Sequence, residues 1–377
     1  MAENSTTGRL HALEDVRWDL WLAVTTIGLV LFGVVMVYSA SGAVASERFN
    51  NSHYFLLRQL MWVVVGLGAM LVAMRVDYHV YERPALIYGL LGLSGVLLIA
   101  ALFFPARNGA HRWITFGSWS AQPSELAKIA LVIFLARFLT RREEEGEIED
   151  FKATVLPACV IVGLLAALIM KEPDLGTTLM LGVVFLVMMF AGGVPMRHML
   201  KLSPLLLPAV YWFIFRTGWR LERILVFLHP ERDPLGKGFQ VLQSLIAVGS
   251  GGVRGVGLAE GKQKLFYLPE PHADFIFAVI GEELGLIGGV TLILVFGFFM
   301  WRGLKVSKYA PDRFGQLLAL GLVVMIIAQA FFNISVVLSL VPTKGIPLPF
   351  VSYGGSSVIF ALAAVGILLN ISRQRAE

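Results

Sequence analysis

Apolar stretches near 20 residues, separated by short polar links, recur along most of this chain. Each is long enough to cross a ~30 Å hydrocarbon core as a helix. The pattern predicts ten helices, near 20–40, 55–74, 85–104, 123–139, 154–170, 175–192, 199–215, 274–301, 314–341 and 349–371. Pro173, Pro195, Pro204 and Pro208 punctuate the fifth to seventh, because proline removes a backbone donor and breaks regular helix. The first apolar run follows a mixed-charge segment, Met1 to Asp19, with no small-residue cleavage site after a short apolar core. It reads as a retained helix rather than a signal peptide. The expected fold is an all-α integral membrane protein: a segment 1–19, one membrane domain 20–372, and a tail 373–377.

Loop charges orient these spans. With the N-terminus inside, the cytoplasmic segments carry sixteen basic residues: Arg9, Arg17, Arg75, Arg83, Arg137, Arg141, Arg142, Lys152, Arg197, Lys201, Arg302, Lys305, Lys308, Arg313, Arg373 and Arg375. The short outer segments carry six: Arg48, Arg58, Arg107, Arg112, Lys171 and Lys344. The positive-inside rule therefore places both termini in the cytoplasm and requires an even number of spans.

One connection stands apart. Residues 216–273 form a 58-residue outer loop with eight basic residues, too long to weigh in that count. Loops of this length are uncommon without structure or function of their own. Arg220 to Leu228 and Phe239 to Val248 have helical apolar spacing, and Gly249, Gly251 and Gly252 suit a helix stop. Amphipathic helices in the membrane interface fit both. The run from Arg141 to Asp150 reads as a solvated cytoplasmic loop. No internal repeat or soluble domain emerges.

Composition agrees. The chain has 377 residues, 57% hydrophobic and 15% charged, with a mean hydropathy of +0.74. Soluble domains average about 25% charged residues. The net charge of +5 is spread among short loops rather than gathered in a stripe, so nucleic acid is not an expected partner. Cys159 is the single cysteine, which excludes an internal disulfide or a cysteine metal cluster and reads as a small buried hydrophobe.

The unusual polar residues collect toward the outer side, where a charge in a span needs a reason. Glu125 and Lys128, three apart on the outer end of the fourth span, share a helix face and can pair, either for packing or for substrate. Gln122 and Ser124 lie beside them. Arg112 sits in a short outer loop next to Trp113, where a lipid-headgroup contact is the plainer role. Asp174 lies in the tight link between the fifth and sixth spans and suits a helix cap. Asp274 starts the eighth span and is harder to assign to capping alone. A helix N-terminus stabilises its ionised form, and partial burial raises its pKa, so it suits a general base near neutral pH. Glu282 and Glu283 fall about two turns deeper and read as a packing ion pair. Lys344 lies among Pro342, Pro347 and Pro349, which rule out continuous helix. The Gly354–Gly355 pair, flanked by Ser352 and Ser356, allows close approach of a helix or a ligand.

A substrate with a sugar, a diphosphate and a long apolar chain suits this arrangement. The chain would stay in lipid, while Arg112, Lys128 and Lys344 neutralise the diphosphate. Held diphosphate is a good leaving group, so one base, Asp274, suffices to deprotonate an attacking sugar hydroxyl; glycoside hydrolases use two carboxylates. No cofactor is demanded, and a divalent cation (Mg2+ or Mn2+) is the one candidate helper. Transport of a lipid-linked substrate is the main alternative, although it usually calls for polar groups at the midplane and for repeats. A non-catalytic scaffold is the third reading.

Five stretches carry a resemblance: Gly109–Ile114, Gln122–Lys128, Pro173–Thr177, His272–Phe277 with Glu282–Gly285, and Pro347–Ser357. In this order they resemble the SEDS family (shape, elongation, division and sporulation) from about Leu20 to Ser372. Pro342-Thr343-Lys344-Gly345 is most like the cell-division branch. Two departures are Ala273, where the family commonly has Thr, and Glu172, where Gln is more usual. The resemblance implies a ten-helix fold and a peptidoglycan glycosyltransferase that polymerises lipid II on the outer face of the bacterial cytoplasmic membrane, at the division septum. It implies undecaprenyl pyrophosphate as leaving group and Asp274 as base. Arg112, Glu125, Lys128, Asp174 and Lys344 match polar positions lining the family's outer cavity. A class B penicillin-binding protein (an FtsI-like transpeptidase) and other divisome membrane proteins are the implied partners. The family has also been discussed as a lipid II flippase.

Overall fold

The computed structural model describes residues 18–106, 109–117, 119–202, 204, 225–233, 236, 238–265 and 267–374. Its long helices are α1 (Leu20–Phe49), α2 (Tyr54–Arg75), α3 (Pro84–Ala101), α4 (Pro123–Glu144), α5 (Leu156–Lys171) and α6 (Leu175–Ala191). A short α7 (Met196–Leu200) and the loop helix α8 (Phe239–Ser250) follow. Then come α9 (Ile276–Lys308), α10 (Arg313–Val337) and α11 (Gly355–Arg373). Nine of the ten predicted spans are thus present. The seventh, 199–215, lies almost wholly outside the described residues, as does most of Arg220–Leu228. The second loop helix, Phe239 to Val248, forms as α8. Among the described residues seven helices are long and apolar enough to cross a bilayer, and the protein is a multi-pass membrane protein.

Packing follows lipid rules. Leu31, Val64, Val96 and Leu294 point outward, whereas Glu125, Lys128, Gln329 and Asn333 are buried. The central helices α10 and α11 are mostly covered by their neighbours. At Gly355 a Cβ would lie 2.5 Å from the Trp62 ring, so this glycine serves close packing of α11 on α2. Asp19 and Ser372, near opposite ends of the chain, join through a 2.9 Å hydrogen bond from the Asp19 amide. Arg302 pairs with Asp19 at 2.7 Å on the same face. Both ends therefore meet on one side, as the even-span count requires.

Several boundaries differ from expectation: the first span runs on to Phe49 rather than 40, the fourth to Glu144 rather than 139 and the eighth to Lys308 rather than 301. The link between α3 and α4 holds a small hairpin, β1 (Ile114–Phe116) with β2 (Trp119–Ala121), turning at Gly117. Its strands are too short to show a period in the sequence. The last span begins at Gly355 rather than 349, because Pro347 and Pro349 keep the preceding backbone in turns. The eighth begins at Ile276 rather than 274, and Asp274 caps nothing.

α9 is itself broken. Gly285 adopts φ 66° and ψ −164° inside it. A continuous helix would send the Leu286 and Ile287 amides to the carbonyls of Glu282 and Glu283. Instead Leu286 N–H donates to Gly252 O at 2.9 Å and Ile287 N–H to Val253 O at 3.2 Å. The freed carbonyls of Glu282 and Glu283 accept from Val256 at 3.0 Å and Gly257 at 3.1 Å. These two amides and two carbonyls are thus re-paired by the loop after α8, as a low-dielectric setting demands. The acidic side chains fasten the same loop. Glu282 accepts from the Lys262 and Gln263 amides. Glu283 accepts from Ser39, the Ala259 amide and buried Lys264, the last at 2.6 Å. The expected packing ion pair at Glu282–Glu283 therefore exists at Glu283, while Glu282 binds backbone.

Gly285→Ala is expected to destabilise the fold by more than about 1–2 kcal/mol, the cost of a left-handed non-glycine residue alone. A Cβ there would also sit 2.3 Å from the Gly255 amide nitrogen. Thermal unfolding in detergent is the check, with an unchanged Tm as the contrary result.

Candidate active site

The outer ends of α4, α6 and α11 and the loops before α9 and α11 converge on the face opposite the termini. Asp174, at the start of α6, is the cap that its position predicted. It accepts from the Thr177 amide at 3.1 Å and from the Thr177 hydroxyl at 2.8 Å. It also receives Gln122 Nε2 at 3.3 Å, and Arg112 Nε lies 3.9 Å away. Arg112 spends its donors on backbone, giving Nη2 to Pro173 O at 2.6 Å and Nε to Glu172 O at 3.4 Å. The Gln122 amide donates to Ser356 Oγ at 3.2 Å. One network therefore joins Arg112, Gln122, Asp174 and Ser356 across three elements.

Asp274 comes from a separate loop. Its backbone is fixed on both sides: Asn333 Nδ2 donates to Asp274 O at 2.8 Å, and Ser352 Oγ donates to Ala273 O at 2.6 Å. Asn333 also holds Ile346 O at 2.7 Å, so one buried amide ties the Asp274 loop to the loop carrying Lys344. Gly345 lies directly against the carboxylate, where a Cβ would come 2.6 Å from Oδ2. The partly exposed Asp274 side chain itself makes no hydrogen bond or ion pair among the described residues. Burial pushes its pKa up to about 7; Glu270 and Asp174 add to the rise, and Arg112 opposes it. Nearby His272, buried between Phe55 and Tyr353, is driven down to about 4 by burial and Arg48 and stays neutral. Glu270 and Phe350, at φ 48° and 66°, hold left-handed backbone in the two loops, the kind of strain that clusters at functional sites.

Other predicted residues lie deeper. Lys128 is 4% exposed and bridges Glu125 at 2.9 Å and Gln329 Oε1 at 2.6 Å. Gln329 in turn donates to Pro347 O at 3.0 Å. The pair is real and buried, and it braces α4 against α10 and the prolines of the Lys344 loop. Ser124 is fully buried, its hydroxyl unpartnered among the described residues. Lys344 is half-buried in its loop. Gln329 and Asn333 were missed from sequence. Their signal was available, two amides four apart in an otherwise apolar span, but their partners are distant carbonyls.

The chain belongs to the family of cell cycle proteins that groups FtsW, RodA and SpoVE, which matches residues 20–377. This places it in a class of helical membrane proteins defined by the fold just described. It is 45% identical over 368 residues to the probable peptidoglycan glycosyltransferase FtsW of Geobacter metallireducens, covering 97% of each chain. It is 43% identical to stage V sporulation protein E of Bacillus subtilis, covering 94% of this chain and 97% of that one. Among solved structures, a chain from a peptidoglycan synthase complex that coordinates polymerization and crosslinking matches with a TM-score of 0.78 at 31% identity, covering 96% of this chain and 99% of that one. RodA of Thermus thermophilus matches with a TM-score of 0.70 at 27% identity, covering 96% and 98%.

Glu172 offers a test of the site's electrostatics. It is fully buried without a side-chain partner among the described residues. Burial and neighbouring Asp174 raise it to about 8, against Arg112. The folded protein thus holds a proton that the unfolded chain releases above its ordinary pKa near 4.5, so stability falls as pH rises from there to about 8. Glu172→Gln removes this dependence. Its Tm is expected to exceed wild type at pH 8, with the gap closing toward pH 4.5.

Proposed function

We propose that this protein is a peptidoglycan glycosyltransferase that polymerises lipid II on the outer face of the cytoplasmic membrane. The observation that carries the reading is the Asp274 carboxylate. It stands at the outer site, partly exposed and unpaired among the described residues, while Asp174, Glu125, Glu282 and Glu283 are all engaged. The names of its relatives support the reaction class. Asp274 takes the proton from an acceptor sugar hydroxyl as that oxygen attacks the anomeric carbon of the donor. The bond from that carbon to the lipid diphosphate breaks, and undecaprenyl pyrophosphate departs with its charge. Arg112 and Lys344 offer positive charge at this face, and Lys128 lies beneath as a buried cation. Gln122, Ser352 and Ser356 set the loops around them. A divalent cation (Mg2+ or Mn2+) stays an optional helper. Among the described residues the group with metal-ligand spacing is His79, Glu82 and Asp312, on the face of the termini.

The solved relative from a peptidoglycan synthase complex supports a class B penicillin-binding protein as partner, and the cell-division relatives support a septal location. Transport remains the competing reading. It predicts lipid II movement in sealed vesicles that persists without Asp274 and yields no polymer.

Asp274→Asn, purified with its cognate transpeptidase and given lipid II, is expected to lose polymerisation while still forming the complex. Substantial remaining polymer removes Asp274 from the role of base.

The base acts ionised, so kcat/KM in the wild type is expected to fall as pH drops through about 7. Arg112→Gln removes a stabilising cation and is expected to move that acidic limb to higher pH. A limb that stays in place means that Asp274 does not set it.

A further inference from the structure

On the face of the termini, the link between α2 and α3 carries a short 3-10 helix, Tyr78–Glu82. In such a helix residues three apart eclipse one another, so His79 and Glu82 rise from the same side. Asp312, the N-cap of α10, meets them from another link. One ligand atom from each of these three residues lies within 4.8 Å of the other two. The outer site uses none of them.

The frame around these atoms is firmly built. Tyr78 is fully buried; its amide donates to Asn370 Oδ1 at 2.9 Å and its hydroxyl donates to Asp312 Oδ2. Asp312 Oδ1 accepts from the Gly315 amide at 2.8 Å. Asp77 Oδ1 accepts from the His79 amide at 3.0 Å and lies 2.7 Å from His79 Nδ1. An ionised carboxylate only accepts, so Nδ1 carries the proton and neutral His79 presents the Nε2 lone pair. A carboxylate behind the ring is the usual means of orienting a metal-binding imidazole.

An imidazolium bridging Asp77 and Asp312 is the plainer alternative. It would donate from Nε2 to Asp312, yet Nε2 stands 3.5 Å from Oδ2 and makes no hydrogen bond among the described residues. It also leaves Glu82 unserved. That carboxylate is only 28% exposed and makes no hydrogen bond among the described residues; Arg137 lies 3.6 Å away and is shared with Glu144 at 3.8 Å. Arg313, next to Asp312, is spent on Glu143 at 2.6 Å and on the Ala191 carbonyl. Carboxylates therefore outnumber cations around Nε2, and the cluster attracts positive charge. One imidazole among the donors favours a first-row divalent ion over Mg2+ or Ca2+, which prefer oxygen alone. Zn2+ bonds of about 2.1 Å set tetrahedral ligands roughly 3.4 Å apart, a spacing that Nε2 and Asp312 Oδ2 already have.

We propose that His79, Glu82 and Asp312 bind one Zn2+ ion, with water as the fourth ligand and Asp77 as the residue that orients the imidazole. Glu82 draws in to close the site. The bound ion clips the α2–α3 link to the start of α10, the helix that carries Gln329 and Asn333 toward its other end.

The test uses the full-length protein in detergent, with any affinity tag removed and the sample stripped by chelator, then dialysed against buffered Zn2+. One Zn2+ per chain is expected at micromolar free ion. His79→Gln and Glu82→Gln are each expected to weaken binding more than ten-fold, and Asp77→Asn about ten-fold, the scale of an orienting partner. His229→Gln, in the outer loop, leaves binding unchanged. In the wild type, Zn2+ is also expected to protect His79 from diethylpyrocarbonate, read by mass spectrometry, which keeps the test open should a variant fold poorly. Binding of less than one ion per chain, Glu82→Gln binding as wild type, unprotected His79, or displacement of Zn2+ by equimolar Mg2+ would each overturn the proposal.

Discussion

A backbone amide or carbonyl without a partner costs several kcal/mol in hydrocarbon, where no water can replace the missing bond. An active site in a membrane helix bundle needs irregular backbone, so this protein must satisfy each released group from elsewhere in the chain. The break at Gly285 shows the solution most fully, with two amides and two carbonyls exchanged between α9 and the loop after α8. The same demand shapes the outer site. Arg112 covers the carbonyls of Glu172 and Pro173, Asn333 covers those of Asp274 and Ile346, and Ser352 covers that of Ala273. Side chains that look catalytic on a linear reading are in part scaffolding for unwound backbone.

This sharing of labour separates the polar residues into two kinds. Lys128, Glu125 and Gln329 form a buried set whose hydrogen bonds are spent on one another, on the Pro347 carbonyl and on the Ser357 hydroxyl. Removing one partner leaves a buried charge uncompensated, which typically costs 3–5 kcal/mol. Asp274 belongs to the other kind: its backbone is held on both sides, while its carboxylate is left open. A rigidly placed, partly desolvated carboxylate is what a base near neutral pH requires. Gly345 belongs to that arrangement because any larger residue would occupy the space beside Oδ2.

Much of this was legible beforehand. Nine described helices fall on predicted spans, and seven of them have the length and apolar composition that hydrocarbon imposes without help from any tertiary contact. The Asp174 cap and the Glu125–Lys128 pair were readable because their partners lie within one helical turn. The hairpin Ile114–Ala121 was not, since three-residue strands carry no usable period. The start of α9 was misplaced by two residues, because an apolar run does not say where turns give way to helix. Glu282 and Glu283 were expected to pair for packing. Only the latter pairs, with Lys264 nineteen positions earlier in a loop whose path the pattern did not reveal.

The amino-acid sequence by itself determined that the chain lives in a membrane, which way its loops face, and which acids and bases carry an unusual cost. Those properties arise from local composition and from interactions within a turn or two. Tertiary structure alone decided which of those groups would be consumed in packing and which left open. That outcome depends on contacts such as Asn333 with Asp274 and Lys128 with Gln329, 59 and 201 positions apart. Chain segments that far apart meet only when the bundle closes, so whether a polar group becomes a brace or stays open is set by that closure.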